Sequence, residues 1–329
     1  MSFKGKRVLV TGADGFIGSH LVDLLVQRDA DVTALVFYNS FNYRGCLEHS
    51  SLLKHVKILT GDIRDPHYCL ALTKDIEVIF HLAALISIPY SYRAPDSFVD
   101  TNIQGTLNLC QAALANGIER FIHTSTSEVY GTAQYLPIDE KHPLQAQSPY
   151  SASKIGADAI ATSFHCSYEL PVIIARPFNS YGPRQSARAI IPTIIIQLQF
   201  GREEIQLGDL STTRDFTFVE DTCRGLLSLG VMDGGVGEVF NIGSNQETPI
   251  ASLFEAINEI MGRRSVAVSD SVRLRPRKSE VLRLRCDGHK LESATGFRPE
   301  ISLTEGLKRT IEWFRISENL RLYKDIYNV

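Results

Sequence analysis

From residue 7 to residue 176, short apolar runs alternate with amphipathic stretches, and this rhythm constrains the fold more than any other feature of the chain. Residues 8–10, 32–37, 56–59, 78–82, 121–123 and 172–175 form runs that are short, apolar and flanked by turn residues. Runs of that kind suit strands buried on both faces, as parallel strands are. Between them, Ile17, Leu21, Leu24 and Leu25 recur at helical spacing, and residues 102–116 make a second amphipathic stretch. Strand, helix, strand in repetition implies an α/β fold with a doubly wound parallel sheet, because a parallel pair needs a crossover that packs on one face. After Arg176 the rhythm loosens and Gly, Pro and Arg become frequent, as in Tyr181-Gly182-Pro183-Arg184. Helices are expected there at 190–200, 219–229, 252–261 and 303–314. The expected division is a sheet domain over residues 1–176 and a smaller α/β domain over 177–329, with chain crossovers between them.

The first run ends in Thr11-Gly12-Ala13-Asp14-Gly15-Phe16-Ile17-Gly18, and the first helix follows. Gly12, Gly15 and Gly18 are three apart. That spacing allows a tight turn, close approach of backbone to a pyrophosphate, and close packing of helix on strand. A helix N-terminus then offers free N–H groups and a positive dipole end to phosphate. Set between strand and helix, the turn points to a Rossmann-type dinucleotide site built from Gly12, Asp14, Gly15, Phe16, Ile17 and Gly18. The second strand ends in Val36-Phe37-Tyr38-Asn39, without the acidic residue that commonly holds the adenosine ribose, and without an arginine pair for a 2′-phosphate. NAD is therefore expected, with NADP left open. Asp62-Ile63 follows the third strand and suits either contact with the adenine edge or a turn and helix cap.

Tyr150-Ser151-Ala152-Ser153-Lys154 puts a phenol and an ammonium one helical turn apart on one face. A nearby ammonium favours the phenolate, so the expectation is a lowered phenol pKa and a general base for a hydroxyl. Thr124-Ser125-Thr126-Ser127-Glu128 follows the run at 121–123, at the carboxyl end of a strand, where ligands bind in open α/β sheets. Each motif also has a plain reading, as helix surface or as loop and cap.

The order of these motifs, glycine turn, then Thr-Ser-Glu, then Tyr-x-x-x-Lys, resembles the extended short-chain dehydrogenase/reductase family. The likeness extends to His81-Leu82-Ala83-Ala84, to Arg176-Pro177-Phe178-Asn179-Ser180-Tyr181-Gly182-Pro183-Arg184, to Arg214-Asp215-Phe216 and to Arg275-Pro276. It implies a nicotinamide enzyme acting on a nucleotide sugar. Tyr150 and Lys154 would be the catalytic pair and Thr126 would orient the sugar. Leu82, Ala83, Ala84, Thr124 and Pro177 would line the cofactor. Ser87, Asn179, Arg188, Arg214 and Arg275 would bind substrate; for Arg214 a partner is expected in Asp215 beside it. Within the family, Glu128 suits a 4,6-dehydratase, which needs a base at sugar C5. Glucose-nucleotide dehydratases carry Asp where this chain has Ser127, which leaves the acid for the departing C6 hydroxyl open between Glu128 and a bridging water. Residues 84–92 and 38–42 resemble bacterial 4,6-dehydratases of nucleotide-linked N-acetylglucosamine, so a UDP- or GDP-linked sugar is expected. A 4-epimerase, a uronate decarboxylase and a non-catalytic dinucleotide sensor are the alternatives. Residues 102–116 and 150–168 resemble helices that pair in family homodimers.

Bulk properties narrow the rest. A formal net charge of −3 offers no basic field for nucleic acid. The N-terminal residues show no signal-peptide pattern, and no apolar run is long enough to span a bilayer, so a cytoplasmic protein is expected. The six cysteines, at 46, 69, 110, 166, 223 and 286, form no Cys-x-x-Cys pair; neither a disulfide framework nor a metal site is expected.

Overall fold

The computed structural model describes residues 2–321 and 323. Seven strands make one parallel sheet: β1 (Arg7–Thr11), β2 (Asp31–Phe37), β3 (Val56–Gly61), β4 (Val78–His81), β5 (Arg120–Thr124), β6 (Val172–Pro177) and a late strand at Val239–Ile242. Before that late strand come β7 (Asn179–Tyr181), β8 (Glu204–Leu207) and β9 (Thr213–Phe218), so it is β10; β11 (Glu247–Pro249) and β12 (Val266–Ser269) follow. The sheet order is β3-β2-β1-β4-β5-β6-β10. Six of its strands fall where the apolar runs predict them. β10 is the addition: the chain returns after β9 through the Val219–Val231 helix to pair with β6, with Val239 opposite Ile174.

Alternation along each strand feeds two cores. Val8 and Val10 of β1 face one side with Val32, Ala34 and Val36 of β2. Leu9 and Leu35 face the other. The first side is covered by the helices Phe16–Val26 and Val219–Val231, the second by Pro66–Leu72, Gly105–Ala115 and Pro149–Tyr168. Both faces being apolar, the strands read as continuous hydrophobic runs. The helix expected over 102–116 begins earlier, as a short α segment at Pro95–Phe98 followed by a π-helical stretch, Val99–Gln104. The four later helices lie at Ile190–Gln199, Val219–Val231, Ile250–Ile260 and Leu303–Arg315. A third core joins the Ile190–Gln199 and Leu303–Arg315 helices to β9 through Ile194, Ile195, Phe216, Phe218, Leu307 and Phe314.

The chain runs outward from β1 through β2 to β3 and then restarts at β4 on the other side of β1. The carboxyl ends of β1 and β4 therefore flank a topological switch point, where open α/β sheets hold ligands. Among the described residues no helix is long and apolar enough to cross a membrane, and no cluster of three potential metal-ligating side chains occurs.

Candidate active site

The glycine turn sits at that switch point. Gly12 has φ +67°, and a Cβ there would lie 2.7 Å from Ala83 N; a Cβ on Gly18 would lie 2.2 Å from the Gly12 carbonyl oxygen. Only glycine allows these approaches. The Phe16–Val26 helix starts at Gly15 with no side-chain cap and no acidic residue in its first turn, so its leading N–H groups stay available to an anion. A Cβ-free cradle and an uncapped helix N-terminus fit a dinucleotide pyrophosphate.

The other wall of the cradle is pinned from below. Thr11 Oγ1 accepts the N–H groups of Leu82 and Ala83, each at 3.1 Å, and lies 2.8 Å from His81 Nδ1. His81 Nε2 lies 3.1 Å from Thr106 Oγ1, whose one proton goes to the Asn102 carbonyl at 2.6 Å. Thr106 must then accept from His81 Nε2–H, and Thr11 must donate to Nδ1. His81 is thereby fixed as the neutral Nε2–H tautomer. Burial holds its pKa well below the ordinary value, helped by the neighbouring His123 and Lys154. Asn102, in the π-helical stretch, accepts Leu85 N–H at 2.8 Å and donates to Leu85 O and to Ser153 Oγ, tying this wall to the Pro149–Tyr168 helix.

That helix opens with Ser148 as N-cap, accepting from Ser151 N–H, and Pro149 in its first turn. Tyr150 and Lys154 share its buried face, 7% and 3% exposed. Phe98 packs edge-on against the Tyr150 ring, and the Thr126 side chain lies near enough to the phenol to draw its pKa down. Lys154 Nζ donates to the Thr124 carbonyl at 2.8 Å. Burial draws the lysine pKa down to about 8, against the upward pull of Asp158. The expected lowering of the phenol is not what the protein's own groups produce. Burial pushes Tyr150 above its ordinary value, opposed by Thr126, with Glu128 and Asp158 pushing the same way as burial. Two desolvated groups cannot both keep their charged forms cheaply, and here burial is the largest cause acting on each.

Glu128 lies in a short 3₁₀ turn, Ser127–Tyr130, capped by Thr126, whose hydroxyl accepts Glu128 N–H at 3.2 Å. Ser151 Oγ donates to Glu128 O at 2.7 Å, locking this turn to the helix that carries Tyr150. The Glu128 carboxylate lies 3.8 Å from Arg275 Nη1, and Arg275 lies equally far from Glu280. Arg214 Nη2 donates to Glu280 at 3.1 Å. Thus Glu128 stands beside Arg275 and acts electrostatically on both Tyr150 and Arg214, and Thr126 caps its turn, so these residues, far apart in sequence, are brought into one neighbourhood. Asp215 is not the partner of Arg214. Adjacent strand residues face opposite ways, and Asp215 accepts from Ser244 N–H, Ser244 Oγ and Cys286 N–H instead.

The remaining candidates divide. Asn179 sits at the start of β7 with its Oδ1 buried and without a hydrogen-bond partner, as a group awaiting a ligand would be. Ser127 is buried beside Glu128, and Pro177 is buried at the end of β6. Thr124 closes β5 with its Oγ1 buried and unpaired. Ser87 caps the short Ile88–Ser91 helix, accepting Tyr90 N–H. Ala84 lies in the loop after β4. Asp62 pairs with Arg64, which is the turn arrangement, while Ile63 is buried under Gly105. Arg188 is exposed, and its backbone N–H meets Ser186 Oγ.

Sequence reading missed a buried network beneath the site. Asp158, 3% exposed, accepts from Ser125 Oγ at 2.9 Å and from Arg176 Nε and Nη2, and its other oxygen lies 3.2 Å from His123 Nε2. Burial opposes ionisation of Asp158, yet His123, Arg176 and Lys154 hold its pKa below the ordinary value. Arg176 also donates to Tyr130 Oη, which donates to Asn241 of β10. Glu280 and the Tyr92–Ser279 hydroxyl contact at 2.6 Å were missed too. The one available signal was spacing: Tyr150, Lys154 and Asp158 recur every fourth residue on one helical stripe.

A parallel sheet of this order, a glycine cradle at its switch point and a buried Tyr–Lys pair beside a Thr-Ser-Glu turn define a Rossmann-type enzyme of the extended short-chain dehydrogenase/reductase class. The sequence family described as GDP-mannose 4,6 dehydratase matches residues 9–310, and the chain belongs to that family. It is 35% identical to a dTDP-glucose 4,6-dehydratase of Actinoplanes sp., over 95% of this chain and 99% of the relative. It is 34% identical to a putative UDP-glucose 4-epimerase of Methanocaldococcus jannaschii, over 94% of this chain and 98% of the relative. The crystal structure of a dTDP-glucose 4,6-dehydratase from Streptomyces venezuelae with NAD bound superposes with a TM-score of 0.86 at 35% identity, covering 97% of this chain and 99% of that one.

Proposed function

We propose that this chain is an NAD-dependent 4,6-dehydratase of a UDP- or GDP-linked hexose, N-acetylglucosamine in particular, and that it yields the 4-keto-6-deoxy sugar nucleotide. The observation that carries the reading is the position of the Glu128 carboxylate, 3.8 Å from Arg275 and close enough to Tyr150 and Arg214 to act on both. A 4-epimerase has no use for a base there. When bound, NAD supplies a hydride acceptor and, in its oxidised form, a positive charge beside the phenol. Tyr150 takes the proton of the C4 hydroxyl while Thr126 orients that oxygen. Lys154 adds positive charge that favours the phenolate and, through Thr124 O, keeps a fixed position. The C4 ketone acidifies C5–H; Glu128 removes that proton, the C6 hydroxyl takes up a proton and leaves as water, and return of the hydride to C6 with a solvent-derived proton to C5 gives the 4-keto-6-deoxy sugar. Arg214 and Arg275 hold the diphosphate, exchanging part of their pairing with Glu280 for phosphate oxygens. Asn179 directs its unpaired Oδ1 to a sugar or nucleotide donor.

In this reading residues 1–176 hold the dinucleotide and 177–329 the sugar nucleotide, apart from the stretch that returns to supply β10. Two copies pair through the helices over 102–116 and 150–168, where Leu114 and Tyr168 are exposed. The relatives named epimerases, together with Ser127 where an acid would serve elimination, favour a 4-epimerase as the second reading.

The test is incubation with UDP-, GDP- and dTDP-linked hexoses in deuterated water. Loss of water with deuterium at C5 is expected. An unchanged mass with inverted C4 would establish the epimerase, and no 4-keto product from any of them would reject the dehydratase.

A further inference from the structure

The end of β2 lacks an acidic residue, and the structure shows what stands in its place. β2 ends at Phe37, whose side chain is exposed, and Asn39 has its side chain consumed by the following loop: Oδ1 accepts from Phe41 and Tyr43 N–H and Nδ2 donates to Tyr43 O. Neither offers a carboxylate to a ribose. Asp14 does. Its backbone lies in the glycine turn, and its Oδ2 accepts the Phe37 N–H at 3.1 Å. One side chain therefore bridges from the pyrophosphate cradle to the last residue of β2, which is where a dinucleotide's adenosine ribose comes to rest in this topology.

Asp14 is also held rigidly. Its carbonyl accepts Cys46 N–H at 2.8 Å, and Gly45, with φ +57°, approaches so closely that a Cβ there would lie 2.9 Å from the Asp14 Cβ. The turn on one side and the 45–46 backbone on the other fix the Asp14 main chain and Cβ, and the Phe37 N–H holds its carboxylate at the end of β2. Arg44, in the same loop, is exposed, and its backbone N–H donates to Glu48.

We propose that Asp14 takes the part of the missing β2 carboxylate and selects NAD over NADP. Its free lone pairs accept the 2′-hydroxyl of the adenosine ribose, and its charge repels a 2′-phosphate, which carries a charge of about −1.5 to −2 near neutral pH. This rests on the reading of the chain as a nicotinamide enzyme, and it names a residue that separates the two cofactors.

The experiment is calorimetric titration of NAD and NADP into nucleotide-stripped protein, which reads binding and not turnover. Wild type is expected to bind NAD in clear preference. Asp14→Ser and Asp14→Asn should each lower the NAD-to-NADP affinity ratio by about tenfold or more, the loss of a charged hydrogen bond. Adding Phe37→Asp to Asp14→Ser should restore the preference by returning the acid to β2. An unchanged ratio in both variants overturns the proposal. So does equal affinity of wild type for the two cofactors, a result that needs no variant to fold. Wild type that binds neither would instead remove the nicotinamide reading itself.

Discussion

Replacing Lys154 by methionine should make the protein more stable and inactive, with the stability gain confined to one side of a pH window. Lys154 is 3% exposed, and burial lowers its pKa from 10.5 to about 8. A depression of that size means that holding the charged form costs about 3 kcal/mol. Methionine keeps the length and removes the charge, but it leaves the Thr124 carbonyl without its donor, at about 1 kcal/mol. The net gain near neutral pH is about 2 kcal/mol, or about 3 °C in Tm for a chain of this length. Because the folded pKa lies below the unfolded one, the unfolded chain binds more protons between about pH 8 and 10.5, and wild-type stability rises across that interval relative to the variant. The advantage of methionine is therefore complete below about pH 8 and gone by about 10.5, where the bare carbonyl leaves the variant slightly the weaker. Scanning calorimetry of nucleotide-free protein at about pH 7 and about pH 10 measures both ends. A Tm difference that is the same at the two values, or a variant that melts lower at neutral pH, would refute the reasoning.

Three further outcomes are expected. Glu128→Gln should lower 4-keto product formation by about 10²–10⁴ while reduced nicotinamide still accumulates on the enzyme, seen by its near-ultraviolet absorbance; elimination at full rate would dismiss Glu128 as the base. Asp158→Asn breaks buried charged contacts to Arg176 and Ser125 and should cost about 3 kcal/mol in urea unfolding. It should also shift the alkaline limb of the kcat/KM profile to lower pH, since Asp158 holds the Lys154 pKa up, whereas Ser125→Ala should cost less and leave that limb in place. Gly12→Ala, at a positive φ and against Ala83, should destabilise by about 1–3 kcal/mol and weaken NAD binding in titration; normal values of both would mean that the turn relaxes freely.

The sheet was legible wherever its causes are local. A buried parallel strand needs a short apolar run, and Val8, Leu9 and Val10 satisfy both faces at once, so six strands announce themselves. β10 does not. Val239–Ile242 has four residues, lies in the half where Gly and Pro dominate, and is defined by pairing with a strand more than sixty residues earlier. Nothing within four residues encodes that partner. The π-helical stretch at Val99–Gln104 was equally hidden, because its cause is the buried Asn102 reaching Leu85 and Ser153.

The site divides along the same line, and its chemistry lies on the less legible side. Tyr150 and Lys154 are a turn apart on one helix, so spacing alone brings them together. What burial then does to them cannot be read from spacing. The phenol rises and the ammonium falls from nearly equal ordinary values, so their order is fixed: as the pH climbs, the lysine gives up its proton before the tyrosine does. In the protein by itself, Tyr150 near neutrality is thus a proton donor, and it becomes a base only when further positive charge is brought beside it. A base that appears only in the assembled complex is shielded from idle protonation chemistry. Asp158, a carboxylate tied to Arg176 and Ser125, acts on both members of the pair: it holds the Lys154 ammonium charged and, with Glu128, adds to the push that keeps the phenol protonated until further positive charge arrives.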